Sequence, residues 1–432
     1  MEETKIFPLI KLLASRLSDE LFQTYWPDFK PFPFAFFTRE KVYLKNHPEP
    51  PTEFECKNGI FVGKWSEQFN GNTAITLNGY PTAIWDVSTI SPDMTFEKLY
   101  SLIVHEMYHA FQTKINYNRS AKESLYFHYP QSIENITYRI LERKALHHAL
   151  FAEDIVTKQN YANVFFYFRE QRHSIILDYL NYELGQESYE GLAQYVEAKA
   201  LMSESSKPPL SHLSELSNEL VRPTDTLYEL RKSCYSSGMA IAFLLDSISP
   251  NWQEEYIQTE DYLYTFLRKK IKKKTTFEQS KQNITEYGIN SIIVHPHKKQ
   301  DEQTIASAKL IFEKTKKKQL YDFQQFYHNE GYLIKIVGNI NITGFDPMNL
   351  LPKEQQLLHK RMLIFTINKQ RYFLMQPILT TLTGNDLQCK EMYYYSKTKP
   401  IENGKNIKLE ELGEITGKLI QKGKQATIIL DN

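Results

Sequence analysis

From Phe96 to Phe111 the chain reads Phe-Glu-Lys-Leu-Tyr-Ser-Leu-Ile-Val-His-Glu-Met-Tyr-His-Ala-Phe, which as a helix is apolar nearly all round. Phe96, Leu99, Leu102, Ile103, Val104, Met107 and Phe111 leave few polar faces, and a helix of that kind belongs inside a domain. Other elements must therefore enclose it. Pro92, Asp93 and Thr95 supply its start signals. His105, Glu106 and His109 are then polar groups in an apolar setting, where each needs a partner.

Two histidines four residues apart stand one turn above each other on one helix face, so their ring nitrogens can converge on a single ion. With Glu106 beside the first, the run is an HExxH pattern, in which the glutamate reaches a water on that ion. The plain alternative is a buried helix whose histidines bond to backbone. A catalytic zinc takes three protein ligands and keeps a fourth position for water. The third is expected from Glu190, in the run Ser188-Tyr189-Glu190-Gly191-Leu192-Ala193-Gln194-Tyr195-Val196-Glu197. Ser188 reads as a helix N-cap that places Glu190 in the first turn, and Gly191 removes a side chain that would hinder close helix approach. Glu183, Glu187 and Glu197 are the rival ligands. Each metal histidine also needs an acceptor for its other N–H, and Gln194, Glu197 and Asp178 are the available choices.

HExxH followed by this EGxAxYxE helix resembles the gluzincin metallopeptidases, specifically the catalytic domain of the aminopeptidase N family. The resemblance implies zinc held by His105, His109 and Glu190, one ion per chain, with Glu106 as general base. It extends to Cys234-Tyr235-Ser236-Ser237-Gly238, similar to the family's YxxG helix, and so implies that Tyr235 stabilises the oxyanion, with Tyr195 as the substitute. The three motifs fall in family order within residues 96 to 248. Two departures stand out: 80 residues, Ala110 to Tyr189, separate His109 from Glu190, far more than in that family, and the family's exopeptidase strand is absent from Thr73 to Thr89. The resemblance thus implies peptide hydrolysis while leaving endo- or exopeptidase action open.

An α+β fold is expected, in three parts. Residues 1–92 form a mixed region with a small sheet: Gly59–Gly63 and Thr73–Leu77 read as strands, Asn78-Gly79 as a tight turn, and Thr82–Val87 as the returning strand. Residues 93–275 form a helical, zincin-type domain, with further helices over Gln131–Ala152, Tyr161–Leu184, Ser188–Met202, Leu227–Ser247 and Asp261–Lys274. Residues 276–432 form a β-rich domain, with strands at Ser291–Val294, Tyr332–Val337, Met362–Asn368, Arg371–Leu379, Tyr393–Tyr395 and Ala426–Leu430.

Lys+Arg of 52 against Asp+Glu of 51 argues against nucleic acid or a membrane surface as partner. The runs Lys269–Lys274 and Lys316–Lys318 read as solvated helix ends, and the adjacent His147 and His148, which face different ways, as structural or surface residues. Cys56, Cys234 and Cys389 lack metal or disulfide spacing. No stretch has the ~20 apolar residues of a membrane span. The expectation is a cytoplasmic zinc metallopeptidase acting on peptide or protein. The alternatives are a zinc-binding non-peptidase, either another amide hydrolase or a binding or structural protein, and an interaction module built on the C-terminal region.

Overall fold

The computed structural model describes residues 3–271, 279, 299–384 and 387–431. The expected strand Ser291–Val294 and the end of the first lysine run lie outside them. The architecture is α+β, with a small N-terminal sheet, a helical middle and a β-rich C-terminal region.

Helices α1 (Glu3–Ser15) and α2 (Asp19–Tyr25) precede a six-stranded sheet of β1 (Phe34–Phe37), β2 (Lys41–Lys45), β3 (Glu55–Lys57), β4 (Ile60–Lys64), β5 (Thr73–Leu77) and β6 (Tyr80–Asp86). The strand order is β3-β4-β2-β1-β6-β5. Only β1 and β6 pair in parallel, and the turn at Asn78-Gly79 has positive φ at both residues, as a tight hairpin requires.

Helix α3 (Phe96–Lys114) follows, capped by Thr95, whose hydroxyl accepts from the Lys98 N–H at 3.3 Å. The chain leaves it through Asn116, whose φ is +52°. One side packs on β5 and β6 and another on helix α7 (Leu180–Glu204), which explains the missing polar face. Between them come α4 (Ser124–Phe127), the hairpin of α5 (Ile133–Phe151) and α6 (Ile155–Ile176), and after α7 come α8 (Pro209–Val221) and α9 (Leu230–Ile248). The chain turns from α6 into α7 through Leu177, at φ +48°.

The helix boundaries differ from expectation at one instructive place. Ser188 is no cap: it is fully buried in the interior of α7, its hydroxyl donating to the Leu184 carbonyl at 2.7 Å and accepting from the Leu263 N–H at 2.9 Å. A serine can satisfy itself this way in mid-helix. Glu190 accordingly lies well inside the helix rather than in its first turn.

A layer of buried charge ties the helices together. Arg169 on α6 donates through both terminal nitrogens to Glu187 on α7, at 2.6 and 2.7 Å, and also reaches Glu142 on α5. Arg172 bonds to Glu142 and Glu183, and Arg139 Nε to Glu183 at 3.1 Å. Burial works to raise the Glu183 pKa, but Arg172 and Arg139 overcome it and hold the carboxyl well below the usual range. Its folded pKa therefore lies below the unfolded value of about 4.3, so its contribution to stability is complete above that pH and is lost as pH falls below it. The thermal midpoint followed by circular dichroism is expected to drop from pH 5 toward pH 3, and Glu183→Gln to flatten part of that slope. A variant with the wild-type slope would remove Glu183 as a contributor.

The C-terminal region is an 11-stranded sheet that includes β7 (Tyr332–Phe345), β8 (Leu350–Lys353), β9 (Gln356–His359), β10 (Leu363–Ile367) and β11 (Gln370–Leu374). It is preceded by a helix the sequence reading lacked, Lys299–Phe326. That helix packs on α5 and buries Thr304, Ala308, Thr315, Gln319, Phe323 and Phe326, a seam of mostly small and polar residues that hides its periodicity. Lys316–Lys318 thus lie within this helix and not at its end, with the Lys318 ammonium 3.9 Å from the Tyr228 ring centroid. His147 and His148 pack against Phe151 and Tyr161, and burial lowers the pKa of both. None of the described helices is long and apolar enough to cross a membrane.

Candidate metal centre

Three donor atoms converge where α3 meets α7. His109 Nε2 is 3.2 Å from His105 Nε2 and 3.2 Å from Glu190 Oε2, and His105 Nε2 is 3.6 Å from the same oxygen. All three side chains are buried. Ligand atoms about 2.0–2.2 Å from a tetrahedral zinc lie about 3.3–3.6 Å from one another, so the three edges fall within about 0.1 Å of that range. Among the described residues this is the group of His, Cys, Asp and Glu side chains able to hold an ion.

The outer nitrogens determine what faces inward. His105 Nδ1 is 2.9 Å from Glu197 Oε2, and His109 Nδ1 is 2.7 Å from Gln112 Oε1. Both oxygens are acceptors, so both Nδ1 atoms carry the hydrogen and both Nε2 atoms present lone pairs. With Glu190 Oε2, three lone pairs then meet with no donor between them, an arrangement that calls for a cation. A proton partly answers the same demand. Burial works to lower the His105 pKa, but bonds to Glu190 and Glu197 outweigh it and push it up to about 10. Histidines bonded to backbone, the plain alternative, are not what the fold builds.

Of the three acceptors offered by the sequence, Glu197 is the one used. Lys98 holds its other oxygen at 2.6 Å; burial raises the Glu197 pKa, but the His105 bond and the Lys98 charge overcome it and bring it to about 2. Gln112 was missed, although it lies one turn beyond His109. Its amide also donates to the Tyr189 carbonyl at 3.0 Å, so α7 fixes the orientation of the His109 ring.

Glu190 reaches the site because α7 and α9 nearly touch. A Cβ on Gly191 would stand 2.5 Å from Gly238 Cα, and one on Gly238 would stand 2.3 Å from the Glu187 carbonyl oxygen. The small residue beside Glu190 therefore does what the sequence reading assigned to it, against a second glycine in the YxxG run. Burial works to raise the Glu190 pKa, while His109, His105 and Arg231 override it and hold it well below the usual range. The rival carboxylates Glu183 and Glu187 are committed to the arginine layer, and Glu197 to His105.

Glu106 lines the cleft beside the triangle and forms no side-chain hydrogen bond among the described residues. Burial, chiefly, raises its pKa. Tyr235 is brought to the centre: its ring stacks on His105, centroids 6.1 Å apart, and burial, then Glu190, holds its pKa well above 10. Tyr195, the substitute, is committed elsewhere, its hydroxyl 3.0 Å from both Asp246 oxygens.

The centre opens on a cleft of about 1100 Å³. Its walls come from α3, α7, α8 and α9, from loop residues 67–72 between β4 and β5, and from the turns after β7 and β9. The two sheets approach each other over it through Glu67 with Arg371 at 3.9 Å and Asn70 with Met362. No family model matches the chain, and no curated protein or solved structure matches it.

Proposed function

We propose that the chain is a zinc-dependent metallopeptidase of gluzincin type, with one zinc per chain held by His105, His109 and Glu190. The observation that carries this reading is the convergence of three inward lone pairs at tetrahedral spacing beside an uncommitted carboxylate. A two-histidine, one-carboxylate set suits zinc with a position left open for water. Bound there, the ion would supply Lewis acidity, lowering the pKa of a water and polarising a substrate carbonyl. Glu106 takes the proton from the attacking water and delivers it to the leaving amine nitrogen. Tyr235 donates a hydrogen bond to the oxyanion as it develops, a contribution typically worth about 3 kcal/mol. Glu197 and Gln112 hold the histidine rings in the tautomer that presents Nε2.

A cleft of about 1100 Å³, at the upper edge of the roughly 300–1,000 Å³ of small-molecule pockets, with sheets approaching over it, suits an extended peptide better than a folded protein. Three cysteines that form no disulfide suit a reducing compartment such as the cytoplasm. Elemental analysis of the purified chain is expected to find one zinc per molecule, and His109→Ala to lose it. Mass spectrometry of a broad peptide library is expected to find cleaved amide bonds, with folded proteins left intact. A folded wild type free of metal would remove the whole reading. A zinc protein inert on the library would leave the metal and remove the peptidase.

A further inference from the structure

The two oxygens of Glu190 are divided between different tasks. Oε2 faces the histidines, while Oε1 accepts from Arg231 Nη2 at 2.8 Å. The other terminal nitrogen of Arg231 binds Glu123, in the connection that follows α3, and Glu123 is itself held by the Gln186 amide at 3.0 Å. The arginine is thus anchored from both ends, with its side chain 16% exposed against 8% for Glu190. It stands one turn before Tyr235 on α9, and the glycine contact at Gly238 is what brings this stretch of α9 against α7. No motif in the sequence pointed to it.

Resting on the zinc reading above, we propose that Arg231 is a positioning residue that restricts Glu190 to one bond with the ion. A carboxylate free to rotate can offer both oxygens and so take up the position that water needs. A guanidinium on Oε1 removes that option by geometry, since its Nη2 bond occupies that oxygen while Nη1, held by Glu123, keeps the guanidinium from following a rotation. It also draws charge from the ligand, which leaves more Lewis acidity at the metal. The arrangement gives Glu190 the orienting partner that Glu197 and Gln112 give the two histidines.

The test uses the full chain with zinc or cobalt(II) as the probe. Arg231→Met is expected to fold, to bind zinc about 10–100-fold more weakly in chelator competition, and to lose visible absorption severalfold in the cobalt form as coordination rises from four to five. Arg231→Gln, which retains an amide donor without the charge, is made alongside and is expected at the lower end of that range. Arg231→Lys, able to hold Oε1 by a single bond, should recover the four-coordinate cobalt spectrum. A merely structural role would lower the unfolding midpoint and leave that spectrum unchanged. A folded Met or Gln variant with wild-type zinc affinity and an unchanged cobalt spectrum overturns the proposal, as does failure of both to fold. A wild type that takes up no zinc overturns the reading beneath it instead, so the two failures are distinguishable.

Discussion

Glu106→Gln is expected to lower kcat/KM for a cleaved peptide by about 10²–10⁴-fold while one zinc per chain stays bound. The substitution preserves size and shape and removes only the capacity to accept a proton. Its selectivity follows from the site: the donor triangle that could hold an ion is built from His105, His109 and Glu190, and Glu106 lies beside it with no side-chain hydrogen bond among the described residues to lose. Burial raises its pKa, which moves a carboxylate toward the operating pH where a general base is most effective. Zinc content by elemental analysis and peptide kinetics on the same preparation decide the matter. A variant with near wild-type turnover would remove Glu106 from the reaction, and one that also lost the metal would make it a structural residue.

His105, Glu106 and His109 were legible because helix geometry alone places them. A four-residue spacing puts His105 and His109 on one face, and the apolar surround of α3 announces burial. Gly191 was legible as well, since a glycine inside a helix calls for a reason. What the sequence hides is the identity of partners met across space. Ser188 has the same letters as a cap and is instead a buried interior residue. Gln112 and Arg231 are ordinary polar residues until α7 and α9 close on α3. The helix Lys299–Phe326 escaped because threonine, glutamine and alanine line its buried seam, so no apolar stripe marks the face it hides. The departure in motif spacing has a physical account too. The residues between His109 and Glu190 form α4, α5 and α6, and they are fastened to α7 by arginines and carboxylates.

Arg169→Leu tests that fastening and is expected to cost about 3–5 kcal/mol in urea unfolding. Arg169 is 1% exposed, neutralises Glu187 through two bonds and Glu142 through two more, and lies 4.6 Å from the Phe165 ring centroid. Leucine keeps part of the apolar contact and none of the charge. Among the described residues it leaves Glu187 with the Ser237 hydroxyl alone, 2.6 Å away, and an unpaired buried carboxylate is far costlier than an absent pair. Joint replacement, Arg169→Leu with Glu187→Leu, should for that reason recover part of the loss, where independent contributions would add. Glu187 precedes Glu190 by three residues on one face of α7, so zinc affinity should weaken in the single variant and improve in the double. A loss below about 1 kcal/mol, the range of an exposed ion pair, would mean that apolar packing and not this charge layer holds α5 and α6 to α7.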